Sequence, residues 1–294
     1  MMNEITLSII IVNYKSWIPL EKCLHSINNQ IDINPEIIVV DNNSSDDFIH
    51  SFKKKFPKVL WVENKCNSGF SKGCNIGAEK ASNKYLIFLN PDTYLPNDCL
   101  KNLINKKLNF ENSIIGIKQL NNKNKNTHAY GIFLNLYSFN GIARALYRFL
   151  WLKSKSQLEK LDQFNPDWIS GSFIFISKRL FNIIGKWNEN YFMYYEDMDL
   201  CKKARNMNYN VIMINDIYCN HFHGLSSRIN EKTKIKSKTE VIKSSIKYIE
   251  GNFTGIEKYV LKGLKLSSVI IELVLVSPFS RTKRNVLINL LRKD

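Results

Sequence analysis

LSIIIV, at residues 7–12, is a short run of mostly β-branched residues. Such a run is typical of a strand that is buried on both faces. Similar runs recur at 36–40, 59–62 and 85–89, and the run at 36–40 ends at Asp41. These four runs predict four strands in the first third of the chain.

Apolar residues at helical spacing separate and follow these runs. After Pro19, one helical face consists of Leu20, Cys23, Leu24 and Ile27. The pattern also predicts a helix at 71–81, and a later one whose apolar face consists of Leu100, Leu103, Ile104 and Leu108. Strands that alternate with helices predict βαβ units and a mainly parallel sheet, which is an α/β fold. Ligands of such sheets bind at the carboxyl ends of the strands.

The rest of the chain contains further strand and helix patterns. Strand character returns at 168–177 and 211–214, and a helix is predicted at 194–206. From residue 228 the chain is helix-like and lysine-rich, with 15 basic and 6 acidic residues. The stretch 140–160 combines aromatic, apolar and basic residues. Two explanations of these basic segments stay open: a solvated face, and a surface that contacts anionic membrane lipid.

The composition of the 294 residues is that of a globular protein, with 44% hydrophobic and 23% charged residues. It excludes a wholly disordered chain, a collagen-like repeat and a multi-span membrane protein. The net charge of +16 indicates an anionic partner, either nucleic acid, acidic lipid or a phosphorylated substrate. Six cysteines without a C-x-x-C pair indicate a reducing compartment. Without a signal-peptide pattern or a long apolar segment, we expect a cytoplasmic protein, either free or peripheral on the inner membrane face.

Two acids follow predicted strands directly. Asp41 lies in VVDN, where its carboxylate could accept from a nucleobase N–H or a ribose hydroxyl, or simply form an Asx turn. Asp92 lies in NPD, where an oxygen ligand would suit Mg²⁺ or Mn²⁺ carrying a diphosphate. A plain Pro-Asp turn is the alternative for Asp92.

The segment 64–77 is rich in asparagine and glycine. It matches neither G-x-G-x-x-G nor the P-loop pattern, so the fingerprints of dinucleotide and P-loop sites are missing. Its glycines at 69, 73 and 77 are spaced to lie on one helical face. They would allow a close approach to the sheet or to a ligand, and simple helix packing explains them equally well.

Two polar clusters lie farther along the chain. Three acids, Glu196, Asp197 and Asp199, fall at a predicted helix start, where they either suit the helix dipole or form a general base or metal site. Near 219–226, a single histidine could contact a metal diphosphate. A zinc site of Cys219, His221 and His223 would lack a fourth ligand.

Taken in order, these motifs resemble those of the family 2 glycosyltransferases, most closely the bacterial rhamnosyltransferase-like branch that builds surface polysaccharide. The ordered motifs are VNY at 12–14, VVDN at 39–42, N-x-G at 67–69 and 75–77, NPD at 90–92, GS at 171–172, EDMDL at 196–200 and HFHGLS at 221–226. The resemblance spans about 7–227 and implies a GT-A fold, a Rossmann-like mixed, mainly parallel sheet flanked by helices. It implies a nucleotide-binding half at 1–120, an acceptor-binding half at 121–227 and a basic helical extension at 228–294 that carries no motif of the family.

The resemblance also implies roles for individual residues. The nucleoside would be held by Asn13, Tyr14 and Asp41, and the floor under the ribose and diphosphate would be formed by Asn67, Gly69 and Asn75. Gly171 and Ser172 would line the donor-sugar pocket. Asp92 matches the metal-binding acid of the family's D-x-D motif, whose first acid is Asn90 here, and His221, or else His223, would approach the metal. Asp197 matches the catalytic base, with Glu196 as the second choice.

The activity implied is inverting transfer of a sugar from a nucleoside-diphosphate donor, with Mn²⁺ or Mg²⁺ as cofactor. Rhamnose is the leading donor sugar, and the acceptor is expected to be a saccharide on polyprenyl diphosphate, in O-antigen or capsule synthesis. A basic nucleic-acid-binding protein is one rival, but no reading motif is present, so nucleic acid is not an expected partner. A nucleotidyltransferase is another rival, but it would need a glycine-rich loop near the N-terminus, and 8–17 contains no glycine.

Overall fold

Four parallel strands form the first half of a central sheet, as the sequence predicts. They are β1 (Leu7–Asn13), β2 (Glu36–Asp41), β3 (Leu60–Glu63) and β4 (Tyr85–Leu89), in the spatial order β3-β2-β1-β4. The computed structural model describes residues 5–127, 129–140, 143, 146, 155–158, 160–222, 224–226 and 229–291. Apart from the partly exposed Val12, β1 is buried, and β4 is buried throughout, as expected for strands covered by helices on both faces.

Helices cover both faces of these strands. They are α1 (Trp17–Asn28), α2 (Phe48–Lys55), α3 (Phe70–Lys80) and α4 (Cys99–Ile104). Apolar residues of α1, α2 and α4 pack with Ile9 and Ile11, while α3 packs with Ile10 on the other face. The sequence analysis placed Leu108 on the apolar face of this last helix, and that prediction was wrong. The helix α4 ends at Ile104 with Asn105 as its cap, and Leu108 lies beyond it.

The second half of the sheet is mixed. It adds β5 (Thr93–Tyr94), β6 (Ser113–Leu120), β10 (Phe173–Ser177) and β11 (Asn210–His221), while the short strands β7 (Tyr130–Gly131), β8 (Gln163–Phe164) and β9 (Trp168–Ile169) flank it. The order continues β4-β10-β6-β11-β5, with β10 antiparallel to both of its neighbours. The predicted strand at 168–177 is therefore two strands, because a turn at 170–172 separates β9 from β10.

The described part of this half contains three further helices: α5 (Lys155–Leu158), α6 (Lys178–Ile183) and α7 (Glu196–Asn206). The predicted start of α7 at residue 194 was wrong. Tyr194 and Tyr195 have φ angles of 70° and 69°, in the left-handed region, so neither continues a right-handed helix. The helix begins at Glu196, which places its acids in the first turn.

The basic C-terminal segment is helical, as predicted. It forms α8 (Glu231–Asn252), α9 (Gly255–Val276) and α10 (Arg281–Leu291). A capping box between Asn230 and Thr233 starts α8, and Tyr248 and Ile249 pack against Tyr191 and neighbouring apolar residues. Within the described ranges, no helix is both long and apolar enough to cross a membrane. Most of the aromatic and basic stretch at 140–160 lies outside the described residues.

Two of the three spaced glycines let α3 approach β1. Gly73 and Gly77 face Val12 and Ile10, whereas Gly69 lies before the helix as its N-cap residue. A Cβ at position 77 would overlap the side chain of buried Ile10. Close packing of helix against sheet therefore requires glycine there.

We expect Gly77→Ala to lower the free energy of unfolding by about 1–3 kcal/mol, because overpacking outweighs the better helix propensity of alanine. The control is Gly263→Ala in α9, where nothing lies within 4 Å of the added Cβ. That variant should be neutral or gain up to about 1 kcal/mol. Urea denaturation of both variants measures the difference, and equal effects would contradict the packing argument.

Candidate functional site

A cavity of about 180 Å³ lies at the carboxyl edge of β1 and β4. The 90–92 turn, the 170–172 turn and the 192–197 segment contribute to its walls, together with one face of α8. Residues separated by more than 200 positions therefore meet around one space. The sequence analysis gave 228–294 no part in the site, so the contribution of α8 was missed.

Asp92 and His221 lie side by side in this cavity. The pairing of Thr93 with His221 in β5 and β11 brings them together. Both are buried, and Asp92 Oδ1 lies 3.3 Å from His221 Nε2. The other carboxylate oxygen accepts hydrogen bonds from the backbone N–H and the hydroxyl of Ser226, at 3.1 and 2.9 Å.

The environment keeps Asp92 ionised. Burial alone would raise the pKa of its carboxyl. The hydrogen bond and charge of His221, together with the hydrogen bonds from Ser226, outweigh burial and lower that pKa below its ordinary value. A buried carboxylate beside an imidazole is thus available as a ligand at neutral pH.

Gln119 orients His221 and was missed by the sequence analysis. Its Oε1 lies 2.9 Å from His221 Nδ1 and accepts from Ser172 Oγ at 2.9 Å. Because an amide oxygen only accepts, Nδ1 donates its proton to Gln119, and Nε2 is the ring nitrogen that faces Asp92. The sequence analysis predicted no strand at 113–120. A strand prediction there would have placed Gln119 at a strand end, where ligand-binding residues are expected.

The residues present could hold a divalent cation, but the protein supplies only part of its coordination shell. Asp92 Oδ1 and His221 Nε2 are two converging ligand atoms. The described residues contain no group of three or more His, Cys, Asp or Glu side chains placed so that they could hold one metal ion. A cation here would take its other ligands from a bound phosphate and water, as Mg²⁺ commonly does. The zinc alternative gains no support, since Cys219 packs in the apolar core and His223 lies outside the described residues.

Asn13 and Asp41 are brought together by the register of β1 and β2. Asn13 Nδ2 donates to Asp41 Oδ1 at 3.1 Å, and Asp41 also accepts from the backbone and hydroxyl of Ser44. Their side chains therefore support the turn after β2, while Tyr14 and Ser16 line the cavity itself.

Asn42 organises the neighbouring loop. Its Nδ2 donates to Asn67 Oδ1 and to the carbonyl of Gly69, both at 3.0 Å, and its Oδ1 accepts from Asn64 and Ser68. Asn67 and Gly69 thus line the cavity through this residue. Asn42 stands in the VVDN motif, but the sequence analysis gave it no role.

Gly69 occupies a position that only glycine fits. Its φ is 88°, and a Cβ there would overlap the carbonyl of Phe192. That carbonyl accepts from Phe70 N–H at 2.7 Å, so the loop is held against the 192 segment. Asn75, by contrast, is not brought to the cavity: its amide bonds the backbone of Trp187 and the side chain of Glu189.

The three acids of α7 have different surroundings. Asp197 lines the cavity and accepts from the backbone N–H groups of Gly171 and Met198, at 3.2 and 2.8 Å. Burial raises its pKa despite these bonds. Burial and the adjacent Asp197 raise the pKa of Glu196 well above its usual range. Asp199 faces away and pairs with Lys203 and Tyr191.

Comparison with known proteins shows which family this chain belongs to. The model of the family described as "Glycosyl transferase family 2" matches residues 8–181. The chain is 29% identical over 209 residues to "Low-salt glycan biosynthesis hexosyltransferase Agl10" of Haloferax volcanii, covering 70% of this chain and 63% of that protein. It is 26% identical over 203 residues to "Rhamnosyltransferase WbbL" of Escherichia coli, covering 66% and 74%.

The fold is GT-A, as predicted. The structure of "Mannosyltransferase PcManGT from Pyrobaculum calidifontis in complex with GDP-Man and Mn2+" superimposes with a TM-score of 0.57 at 14% identity, covering 98% of this chain and 80% of that one. At that identity the likeness concerns the fold alone. The alignment with Agl10 spans less than two thirds of that relative's length.

Proposed function

Because this chain belongs to glycosyl transferase family 2, we propose that it transfers a sugar from a nucleoside-diphosphate donor to a saccharide acceptor. One observation carries the proposal: the Asp92–His221 pair and Asp197 line the same cavity at the carboxyl edge of the sheet. Such a site combines a place for a metal diphosphate with a carboxylate base. A nucleotidyltransferase would account for the place for a metal diphosphate, and a nucleic-acid-binding protein would account for the basic surface. Neither would account for Asp92 and Asp197 lining the same cavity.

In this proposal the donor occupies the half formed by residues 1–120. Tyr14 contacts the nucleoside, while Asn13 and Asp41 hold the turn that receives the base. Asn67 and Gly69 form the floor under the ribose and diphosphate, and Asn75 supports that floor through Trp187. Gly171 and Ser172 border the donor sugar, and the acceptor enters over residues 121–227.

Asp92 and His221 would hold the divalent cation, Mn²⁺ or Mg²⁺. When bound, such an ion offsets the negative charge that develops on the leaving diphosphate. The remaining chemistry belongs to the chain. An acceptor hydroxyl bonds to the anomeric carbon, the bond from that carbon to the diphosphate oxygen breaks, and Asp197 takes the hydroxyl proton. Attack opposite to the leaving group inverts the anomeric centre.

Asp197 is the better base of the two adjacent acids. Its carboxylate lies against the Gly171 and Met198 amides, which stabilise the charged form. Glu196 is buried, and its pKa lies well above the ordinary value, so it keeps its proton more readily. We therefore assign proton abstraction to Asp197 and keep Glu196 as the second choice.

Rhamnose is the donor sugar that we propose first, supported by the likeness to a relative named as a rhamnosyltransferase. The acceptor that we propose is a saccharide carried on polyprenyl diphosphate, in synthesis of O-antigen or capsule. A lipid-carried acceptor requires the enzyme to work at a membrane surface, and the exposed apolar face of α9 suits that requirement.

The outer face of α9 is apolar and exposed. Along this helix of about 33 Å, apolar side chains three and four residues apart are exposed, among them Ile256, Val260, Leu264, Ile271 and Val274. Two charged residues of the same helix pair with the neighbouring helices, Lys262 with Glu250 and Glu272 with Lys283. We propose that this face rests on anionic lipid, because the segment 228–294 carries 15 basic and 6 acidic residues.

The donor site is tested by thermal unfolding with thymidine and uridine diphosphates, with and without Mn²⁺. We expect a Mn²⁺-dependent stabilisation of about 3 kcal/mol at 100-fold excess over Kd, because the ligand binds only the folded chain. Asp92→Asn should abolish it. Asp216→Asn, an exposed acid paired with Lys106, should not. If no nucleotide stabilises the protein, the donor site is wrong, and DNA and RNA binding are measured next.

The base is tested by the pH dependence of kcat/KM. Because Asp197 must be ionised to accept a proton, activity should fall as pH falls through a pKa raised above the ordinary aspartate value. Asp197→Asn should reduce kcat by about 10²–10⁴-fold while donor affinity is retained. Glu196→Gln should keep most of the activity, and the reverse pattern would transfer the role to Glu196.

The membrane face is tested by sedimentation with vesicles. Binding to phosphatidylglycerol vesicles should exceed binding to phosphatidylcholine, because the basic segment attracts anionic lipid. Ile271→Glu should release the protein, while Ile18→Glu, an exposed isoleucine of α1, should not. A protein that ignores vesicles but self-associates in analytical ultracentrifugation would assign this face to a second copy instead.

A further inference from the structure

Lys236 of α8 projects into the catalytic cavity. Among the described residues that line this space, it is the one lysine or arginine. Its Nζ lies 4.1 Å from the ring centroid of Phe192, within the range of a cation–π contact. A cation at this place is unexpected from sequence, because it belongs to a segment that carries no motif of the family.

Hydrogen bonds position the part of α8 that carries Lys236. Tyr194 and Ser237 share a hydrogen bond of 2.6 Å, and Ser244 Oγ donates to the carbonyl of Met193 at 2.8 Å. These bonds fasten α8 to the segment that contains Phe192. The carbonyl of Phe192 in turn closes over Gly69. Lys236 is therefore held above the loop that the proposed function places under the ribose and diphosphate.

The charge balance of the cavity gives this lysine a function. Four acids line the space, Asp92, Glu196, Asp197 and Glu240. Glu196 keeps its proton most readily, so the other three acids face the entering diphosphate, whose negative charge rises further as the sugar leaves. A cation that also lines the cavity offsets this repulsion.

We infer that Lys236 binds the diphosphate of the donor, an inference that rests on the proposed function. It is a diphosphate-binding residue supplied by the C-terminal helices rather than by the nucleotide-binding half. Those helices therefore complete the donor site in addition to any contact with lipid. Lysine acts here as a compact charge with three donors, which suits phosphate oxygens.

The experiment compares calorimetric affinities for nucleoside, nucleoside monophosphate and nucleoside diphosphate, using the uridine and thymidine series with Mn²⁺. Lys236→Gln should lose about 10–100-fold in affinity for the diphosphate and almost nothing for the nucleoside. Lys236→Arg should recover part of the loss. The control is Lys234→Ala, an exposed lysine of the same helix that does not line the cavity.

Three outcomes would overturn the inference. Unchanged diphosphate affinity in Lys236→Gln would remove the residue from the donor site. Equal loss for nucleoside and diphosphate would mean that the variant disturbs the cavity in general, and a thermal unfolding profile like that of the wild type would exclude misfolding as the cause. A wild-type protein that binds no nucleotide would overturn the proposed function as well, whereas normal wild-type binding confines the failure to Lys236.

Discussion

The antiparallel pairing of β10 with β4 is the constraint on which the site depends. Phe173 pairs with Leu89, so the residues that precede β10 meet the residues that follow β4. The backbone N–H of Asn90 accordingly donates to the carbonyl of Ser172. Because the two strands run in opposite directions, a segment about 80 residues later in the chain returns to the edge where parallel strands end. The 90–92 turn and the 170–172 turn therefore meet at the cavity wall.

Around that junction, buried polar groups are stabilised in different ways. Asp92 keeps its charge because His221 and Ser226 stabilise it, and Gln119 fixes the imidazole from the other side. Asp197 is held by backbone amides, yet burial still raises its pKa. A single cavity thus contains one carboxyl with a lowered pKa, that of Asp92, and two with raised pKa values, those of Asp197 and Glu196. Unequal environments of this kind allow two acids to do different work at the same pH.

The loop between β3 and α3 shows how the two halves of the chain depend on each other. Gly69 has a conformation that glycine alone adopts readily, and Phe192 closes over it from the second half. Asn75, which the sequence analysis placed under the ligand, instead supports the turn at Trp187. Asn75 thus acts here through hydrogen bonds to the Trp187 backbone and not as part of the cavity lining. Side chains project from all sides of a helix such as α3, and sequence spacing alone does not say which side faces the ligand.

Local patterns in the sequence were sufficient for the four parallel strands, because burial on both faces leaves continuous apolar runs. They also placed Asp41 and Asp92 at strand ends and predicted α1, α3 and α4, but not α2. They also predicted the helical C-terminal segment. Tertiary structure alone decided that α7 starts after two left-handed tyrosines, that Gln119 orients His221 and that α8 brings Lys236 into the cavity. These features depend on contacts between residues far apart in the chain. Periodicity reports which residues are buried, whereas only the folded chain determines which distant groups share a cavity.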